Sequence, residues 1–206
     1  MSSEHNRIIA AAAKTELRPL GFKRQGRSRL WLLDYGHWLN IVGFVPSRWS
    51  ITVTLENAAH WIWSGHGFMS LDYIVRGRYT EFETEEHFSN ALEHIARDAA
   101  SGALEIEKRF SSFEKIAEFA IDEARDNERM APSWWGYKAG IAAGILGDMN
   151  LAERFLRGIS DYRVTPHAQR FLAVIEEQDR FVSEVNIAVA EQRTALKLEL
   201  LEQDAF

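Results

Sequence analysis

Hydrophobic and polar positions follow strand-like patterns in short segments of the first 80 residues of the chain. Aromatic and β-branched residues dominate residues 29–35 and 38–45, and the sequence Asp-Tyr-Gly-His at 34–37 is typical of a turn. Residues 50–56 alternate strictly between apolar and polar side chains, which indicates a strand with one buried face. A fourth strand is predicted at residues 73–79. The pattern therefore predicts a four-stranded antiparallel meander.

Apolar spacing of the helical kind precedes and follows these strands. The first helix covers residues 8–17 and ends before Pro19, because proline disfavours helical geometry at the preceding residue. A second helix starts after its predicted N-cap, Thr84, and Gly102 is expected to interrupt it. A capping-box signal at residues 111–114 starts a third.

The last third of the chain shows only helical patterns. Residues 139–159 carry small residues at the positions where paired helices touch, and they resemble a single hairpin of the tetratricopeptide-repeat type. Thr165 and Pro166 form a good N-cap and first helical position, and neither glycine nor proline follows them. We therefore predict a long terminal helix that packs along its own domain in preference to dimerising, so that a monomer or a homodimer is expected.

Together these elements predict an α+β fold: a four-stranded antiparallel meander flanked by helices, then a C-terminal all-helical part ending in a long helix. The predicted domains are an α+β sheet domain at residues 1–128 and a helical extension at residues 129–206 packed on it.

Composition excludes several kinds of chemistry. The 206 residues include no cysteine, which excludes disulfides, thiolate zinc sites, iron-sulfur clusters and cysteine nucleophiles. The first residues are polar and lack the apolar run of a secretory signal, and no later apolar run reaches the roughly 18 residues that span a bilayer. A soluble, cytoplasmic protein without membrane association is expected.

Charge is distributed unevenly along the chain, although the net charge is only -6. Residues 1–79 carry a net charge of +5, residues 80–128 carry -9 and residues 129–206 carry -2. Intramolecular charge complementarity is the favoured interpretation. An anionic partner for the basic part of the chain is the alternative.

The candidate anion site combines Arg48 and Trp49 with Arg76 and Arg78, because neighbouring strands can bring their arginines together. His37 is the candidate acid or base of such a site. Pairing of these arginines with the acidic helices is the interpretation that we favour.

Tryptophans are dense between residues 31 and 63. Core packing explains most of them. Trp61 and Trp63 fall outside the regular strand pattern, so we leave open that they are exposed and bind a partner.

A basic loop precedes the first tryptophan. Five cations and no acid occur between Arg18 and Arg29, and Trp31 follows. Nucleic-acid binding would use phosphate neutralisation and base stacking. We disfavour it because the chain is acidic and shows no nucleic-acid-binding signature.

Histidines near the sheet could in principle bind a metal, but their spacing matches no ligand motif. They are His37, His60 and His66, with Asp72 nearby. We predict no metal site and no cofactor.

Part of the chain resembles a bacterial family, the domain of unknown function 4304. The likeness rests on the order of four elements: a helix, the segment Leu-x-Pro-Leu-Gly-Phe-Lys-Arg-x-Gly-Arg at 17–27, a hairpin, and Ser-Arg-Trp at 47–49. The resemblance covers about residues 5–125. It implies an α+β domain whose sheet is flanked by helices, and it implies no activity. The family often has an amide-bearing residue before that serine and an asparagine in the third strand, where this chain has Val45 and Thr54.

The sequence thus favours a bacterial cytoplasmic binding or interaction module whose partner is a protein or a small anionic ligand. The alternatives are an enzyme of unrecognised type acting on an anionic substrate, with Arg48, Arg76 or Arg78 holding the charge, and nucleic-acid binding through the Arg18–Arg29 loop. The enzyme alternative requires these arginines and His37 to converge in one pocket.

Overall fold

The computed structural model describes residues 3–47 and 52–206. The chain divides into two compact units, of which the first comprises Met1–Trp61 with Ser70–Arg109 and the second comprises Ile62–Met69 with Phe110–Phe206. A sheet and two helices form the first unit, whereas the second is mostly helical. The predicted α+β class is confirmed. The domain division predicted at residue 128 stays a prediction, because a compact unit is not by itself a test of independent folding.

The sheet has five antiparallel strands within the described residues, in the order β1-β2-β3-β4-β5. The sequence predicted four. The additional strand is β1, whose two residues are too few to show an alternating pattern. The strands are Lys23–Arg24 (β1), Leu30–Asp34 (β2), Trp38–Pro46 (β3), Thr52–Trp61 (β4) and Tyr73–Glu81 (β5).

Helices α1 (Ser3–Leu17) and α2 (Glu85–Arg109) contribute apolar faces to the core of the first unit. The two helices pack against each other, and α2 also contacts β3, β4 and β5. Each large apolar side chain that becomes fully buried contributes about 1.5–3 kcal/mol. The core includes Ile9, Ala13 and Leu17 of α1, Val42 and Phe44 of β3, Val53 and Leu55 of β4, and Phe88, Leu92 and Ile95 of α2.

The long helix α2 runs through Gly102 without a break, which corrects the predicted interruption. Gly102 lies against the side chain of Asn57 on β4. One residue further along the helix, the carbonyl oxygen of Ala103 accepts a hydrogen bond from Nδ2 of Asn40, at 2.8 Å. The glycine therefore serves a close approach of helix and strand, and does not end the helix.

The second unit contains five of the described helices: α3 (Phe113–Asp126), α4 (Gly136–Ile145), α5 (Met149–Arg157), α6 (Thr165–Leu172) and α7 (Gln178–Leu196). A kinked turn, Ala131–Trp135, precedes α4, and Ser133 within it has non-helical angles of φ -129° and ψ -149°. Helices α4 and α5 pack against each other as the hairpin predicted at residues 139–159. The resemblance of that hairpin to a tetratricopeptide repeat stays a prediction.

The single long terminal helix that we predicted from Thr165 is instead two helices, α6 and α7. The chain turns between them, although no glycine or proline is present there. The rings of Phe171 and Phe181 meet across this turn with centroids 5.2 Å apart. Tertiary packing therefore overrides the local helical pattern. No helix in the described part of the chain is long and apolar enough to cross a membrane.

Candidate anion-binding site

The side chains expected to share an anion pocket lie far apart along the sheet. His37 lies in the turn between β2 and β3, whereas Arg76 and Arg78 lie within β5. Arg76 pairs with Glu56 of β4, which in turn pairs with Gly43 of β3. Gly43 is six residues beyond His37, so at roughly 3.3 Å per residue the register separates His37 from Arg76 by about 20 Å along the strands. The described residues of the proposed pocket do not converge.

Both arginines of β5 form ion pairs. Nε of Arg76 lies 3.2 Å from Oε1 of Glu56, and Nε of Arg78 lies 3.0 Å from Oδ2 of Asp98 on α2. The arginine side chains are 75% and 69% exposed, so each pair contributes at most about 1 kcal/mol. The favoured interpretation, pairing with an acidic helix, is confirmed for Arg78. Arg76 instead pairs with the neighbouring strand.

His37 is partly exposed beside its hairpin turn. The turn is closed by Asp34, whose Oδ1 accepts a hydrogen bond from the backbone N–H of Gly36 at 2.9 Å. Burial lowers the pKa of His37, and the negative charge of Asp34 opposes that lowering. The imidazole is therefore neutral at pH 7.

Trp61 and Trp63, whose exposure the sequence left open, are both buried, with exposed fractions of 1% and 0%. The ring of Trp63 packs edge-on against that of Phe113 at 5.9 Å. Both rings are core side chains, and they offer no exposed aromatic surface to a partner. Arg48 and Trp49 lie outside the described residues, so their expected binding roles stay predictions.

A groove on the first unit is lined by four cationic side chains and by two buried aromatic rings. Two of its cations come from α1 and the turn after it, and two come from β1. The rings beneath them are 3% and 5% exposed. The groove has a volume of about 400 Å³, and a neighbouring cavity of about 540 Å³ shares two of its cations and continues it. This basic groove is lined by Lys14, Arg18, Lys23 and Arg24, with Phe22 and Trp31 beneath them.

The local sequence explains how these four cations meet. Pro19 ends α1 in a short 3-10 turn, Arg18–Leu20, and Gly21 follows it in the left-handed conformation with φ of +89°. The backbone N–H of Phe22 then donates to the carbonyl oxygen of Leu17 at 3.2 Å. The chain therefore reverses direction, and the cations of β1 return beside those of α1.

Arg24 is held in place by its own loop. Its Nε donates to the carbonyl oxygen of Ser28 at 2.6 Å, and its Nη2 donates to that of Arg27 at 3.0 Å. Nearby, Nε of Arg29 donates to Oδ1 of Asn6 at 2.7 Å, whereas its Nη1 is buried without a hydrogen-bond partner among the described residues. Burial lowers the pKa of Arg29, and the positive charge of Arg24 lowers it further. The two guanidinium groups thus repel each other, and a nearby anion would relieve that repulsion.

No acidic side chain lines the basic groove in the described part of the chain. Lys14 and Arg18 are exposed, and neither forms an ion pair with any described residue. They are four residues apart, where like charges on a helix repel each other. A second groove, between α1 and α2, differs because it mixes Arg7 and Arg97 with Glu16, Glu85 and Glu93.

A buried polar network links the end of β4 to the residues just before β5. Nδ1 of His60 lies 3.1 Å from Oδ2 of Asp72 and 3.1 Å from Oγ of Ser70. Oγ of Ser70 donates to Oδ1 of Asp72 at 2.8 Å, and the backbone N–H of Trp61 donates to Oδ2 at 2.7 Å. The side chains of His60 and Asp72 are 0% and 1% exposed.

The residue types of this network match those of a serine hydrolase, but their arrangement does not. In a catalytic triad the carboxylate and the serine contact opposite nitrogens of the imidazole. Ser70 and Asp72 both contact Nδ1 of His60, and the serine hydroxyl donates to the carboxylate. The network therefore stabilises the loop and does not activate a nucleophile. The expectation of no metal site stays a prediction.

Sequence reasoning missed an aromatic cluster in the second unit. The ring of Trp134 lies 5.1 Å from His66, 5.3 Å from His167 and 5.6 Å from Tyr137. Phe68, which is 52% exposed, stacks on His66 at 4.1 Å. No sequence spacing connects these positions, because tertiary packing alone brings the three segments together.

The electrostatics of this cluster depend on a charged neighbour. Arg170 forms ion pairs with Glu184 and with Glu191, the latter at 2.6 Å. Burial lowers the pKa of His167, and the positive charge of Arg170 lowers it further. Burial raises the pKa of Tyr137. Both side chains are therefore neutral at pH 7.

No family model matches the sequence, and comparisons with curated proteins and with solved structures find no match either.

Proposed function

We propose that the chain is a binding protein that recognises an anionic group, a phosphate or a carboxylate, in the basic groove. The observation that carries this proposal is the set of four cations lining the groove without an acidic side chain among its described residues. Hydrogen bonds between ionised donors and oxyanions are about twice as strong as those between neutral groups. The groove therefore supplies the donors that such an anion needs.

The local charge supports the proposal better than the net charge does. The whole chain carries -6, but residues 1–79 carry +5. Charges concentrated on one surface attract an oppositely charged ligand even on a protein of the same overall sign. As part of this proposal, we expect the protein to be cytoplasmic. We also expect residues 5–125 to belong to the bacterial family that they resemble.

The two alternatives have weaker support. Base stacking needs exposed rings, and both Phe22 and Trp31 beneath the groove are buried. An enzyme that uses His37 with Arg76 and Arg78 lacks a common pocket, because the sheet register separates them. Neither alternative is favoured by a particular contact in the described residues.

The proposal is tested by ligand-induced stabilisation of the full chain. Phosphate, pyrophosphate and citrate are added separately at low ionic strength, and the thermal midpoint is measured for each. A ligand that binds only the folded state raises the midpoint as its concentration rises. We expect stabilisation by at least one of them, and its loss in the variant Lys14→Gln/Arg18→Gln.

The matched control is Arg154→Gln, an exposed arginine of the second unit. It removes a positive charge but should keep the full stabilisation. The proposal fails if none of the three anions stabilises the wild-type chain at about 10 mM, tenfold above a weak millimolar dissociation constant. It also fails if the control loses the effect as completely as the groove variant.

A further inference from the structure

Acidic side chains recur every four residues along one exposed side of α3. We call this row the acidic stripe, and it consists of Glu114, Glu118, Asp122 and Asp126. Glu114, Glu118 and Asp126 form no ion pair with a described residue, and Oδ1 of Asp122 lies 3.8 Å from Nη1 of Arg125. Like charges four residues apart on a helix repel each other. The acidic stripe is therefore a row of largely uncompensated negative charge.

Two cations of the basic groove repeat the spacing of this stripe. Lys14 and Arg18 are four residues apart at the end of α1, and both are exposed. Side chains at this spacing on a helix are about 6 Å apart. A helix that lies beside α1 can therefore place two carboxylates of the same spacing against these two cations.

The size and lining of the basic groove favour a ligand larger than a lone oxyanion. Its volume is about 400 Å³, and the cavity that continues it adds about 540 Å³. Cavities of this size bury whole molecules or segments. Apolar side chains lie between the cations, namely Ala10, Phe22 and Trp31 in the groove and Ala11 and Pro19 in the neighbouring cavity. The groove thus fits carboxylates carried on a bulky, partly apolar body such as a protein helix.

We propose that α3 of a second copy of this chain docks in the basic groove, where carboxylates of its acidic stripe pair with Lys14 and Arg18. The inference rests on the proposed function, because it names the source of the carboxylates that the groove recognises. Complementary charges on two surfaces speed their encounter and fix their register. The pairs are exposed, so the association is weak and sensitive to salt.

Sedimentation velocity of the full chain measures the association. At about 20 mM salt exposed charges act over roughly 20 Å, whereas at about 500 mM salt they act over less than about 5 Å. We expect the sedimentation coefficient at low salt to rise with protein concentration up to about 500 µM, as for a dissociation constant near 100 µM. The rise should disappear at high salt. A wild-type chain that stays monomeric at low salt would overturn the inference.

Charge reversal on each surface tests the pairing. Lys14→Glu/Arg18→Glu reverses the groove and Glu118→Lys/Asp122→Lys reverses the stripe, and each variant alone should be monomeric. In an equimolar mixture the acidic stripe of the first variant meets the unaltered groove of the second, so association should return. The mixture also controls for folding, because only folded chains can restore the contact. A mixture that remains monomeric would refute docking of α3 in the groove.

The matched control is Arg154→Glu/Arg157→Glu, which reverses two exposed arginines of α5. It changes the net charge by the same amount as reversal of the groove, and it should associate as the wild type does. Loss of association in this control would show a dependence on net charge alone and would contradict the proposed contact.

Small anions separate this inference from the proposed function. Citrate that binds the groove should compete with the acidic stripe and lower the sedimentation coefficient of the wild type more than sodium chloride of equal ionic strength does. Stabilisation by a small anion without self-association would leave the proposed function standing and reject the docking of a second copy. Self-association that the reversed groove abolishes, without stabilisation by any small anion, would support the docking and contradict recognition of free anions.

Discussion

Gly102 on α2 lies so close to Asn57 on β4 that a Cβ atom at position 102 would stand 2.4 Å from Nδ2 of the asparagine. Asn57 is 4% exposed, and its Oδ1 lacks a hydrogen-bond partner among the described residues. A buried side chain in a close-packed interior has little room to move aside. The contact therefore sets the distance between the longest helix of the first unit and its sheet.

Replacing Gly102 by alanine should destabilise the protein. Helix propensity alone would stabilise α2 by about 1 kcal/mol, but the added methyl group overpacks the contact at a cost of about 1–3 kcal/mol. Urea unfolding of Gly102→Ala against the wild type measures the balance. Ser101→Ala, at an exposed position of the same helix, is the control and should change stability by less than about 0.5 kcal/mol.

A double-mutant cycle isolates the contact itself. Asn57→Ala removes the side chain that would collide with the new methyl group, so Gly102→Ala should be less harmful in that background. If the two changes are additive, the destabilisation at position 102 does not arise from Asn57.

Removing the carboxylate of Asp72 should cost about 3–5 kcal/mol of stability. Asp72→Ala would leave the N–H of Trp61 and the polar groups of His60 and Ser70 buried without their acceptor. Denaturant unfolding measures the loss. Asp98→Ala is the matched control, because its ion pair with Arg78 is exposed and should cost at most about 1 kcal/mol. Equal losses in both variants would contradict the structural role of the network.

Stability should fall on acidification through His167. Burial and Arg170 lower the pKa of His167 in the folded state, so the unfolded state binds the proton more readily. The contribution is complete above the unfolded pKa of about 6.5 and is lost as the pH falls through the lower folded pKa. His167→Gln should therefore reduce the slope of unfolding free energy between about pH 7 and pH 5.

The pH experiment needs a control, and His167 should account for only part of the pH dependence of the unfolding free energy. Gln169→Ala, at an exposed position of the same helix, should keep the wild-type slope. Part of the slope should persist in His167→Gln, because burial lowers the pKa of His37 too. An unchanged slope in His167→Gln would show that its imidazole is solvated in the folded state.

Trp63 should affect stability and not ligand affinity. Trp63→Ala removes a fully buried ring that contacts Phe113, at a cost of about 3–5 kcal/mol. Trp63→Phe should cost less, because it keeps aromatic volume and removes an Nε1 that lacks a hydrogen-bond partner among the described residues. A stable Trp63→Ala chain would disagree with the burial of this side chain.

The strands of the first unit could be predicted from two kinds of local signal. Alternation of apolar and polar residues indicated β4, whereas aromatic and β-branched residues on both sides of a turn indicated the hairpin of β2 and β3, although β4 extends to Trp61 and β5 to Glu81. Alternation could not indicate β3, because seven consecutive residues of that strand are buried. The turn between α6 and α7 could not be predicted, because the ring contact of Phe171 with Phe181 involves no local signal.

The basic groove was only partly visible in the sequence. The cluster of cations from Arg18 to Arg29 drew attention to the right loop, but Lys14 joins the groove from a turn earlier on α1. Arg29 instead turns toward Asn6. Which cations of a basic segment face the same side depends on the reversal at Gly21, and composition does not contain that information.

β5 lies at one border of the sheet, paired on a single side, and its register to β4 shifts between Thr54 and Glu56. A border strand with free backbone groups invites pairing with other molecules and growth into fibrils. This one is irregular and carries the long charged side chains of Arg76 and Arg78. The irregular backbone of β5 and its exposed guanidinium groups disfavour pairing with a strand of another molecule, so this edge of the sheet resists aggregation.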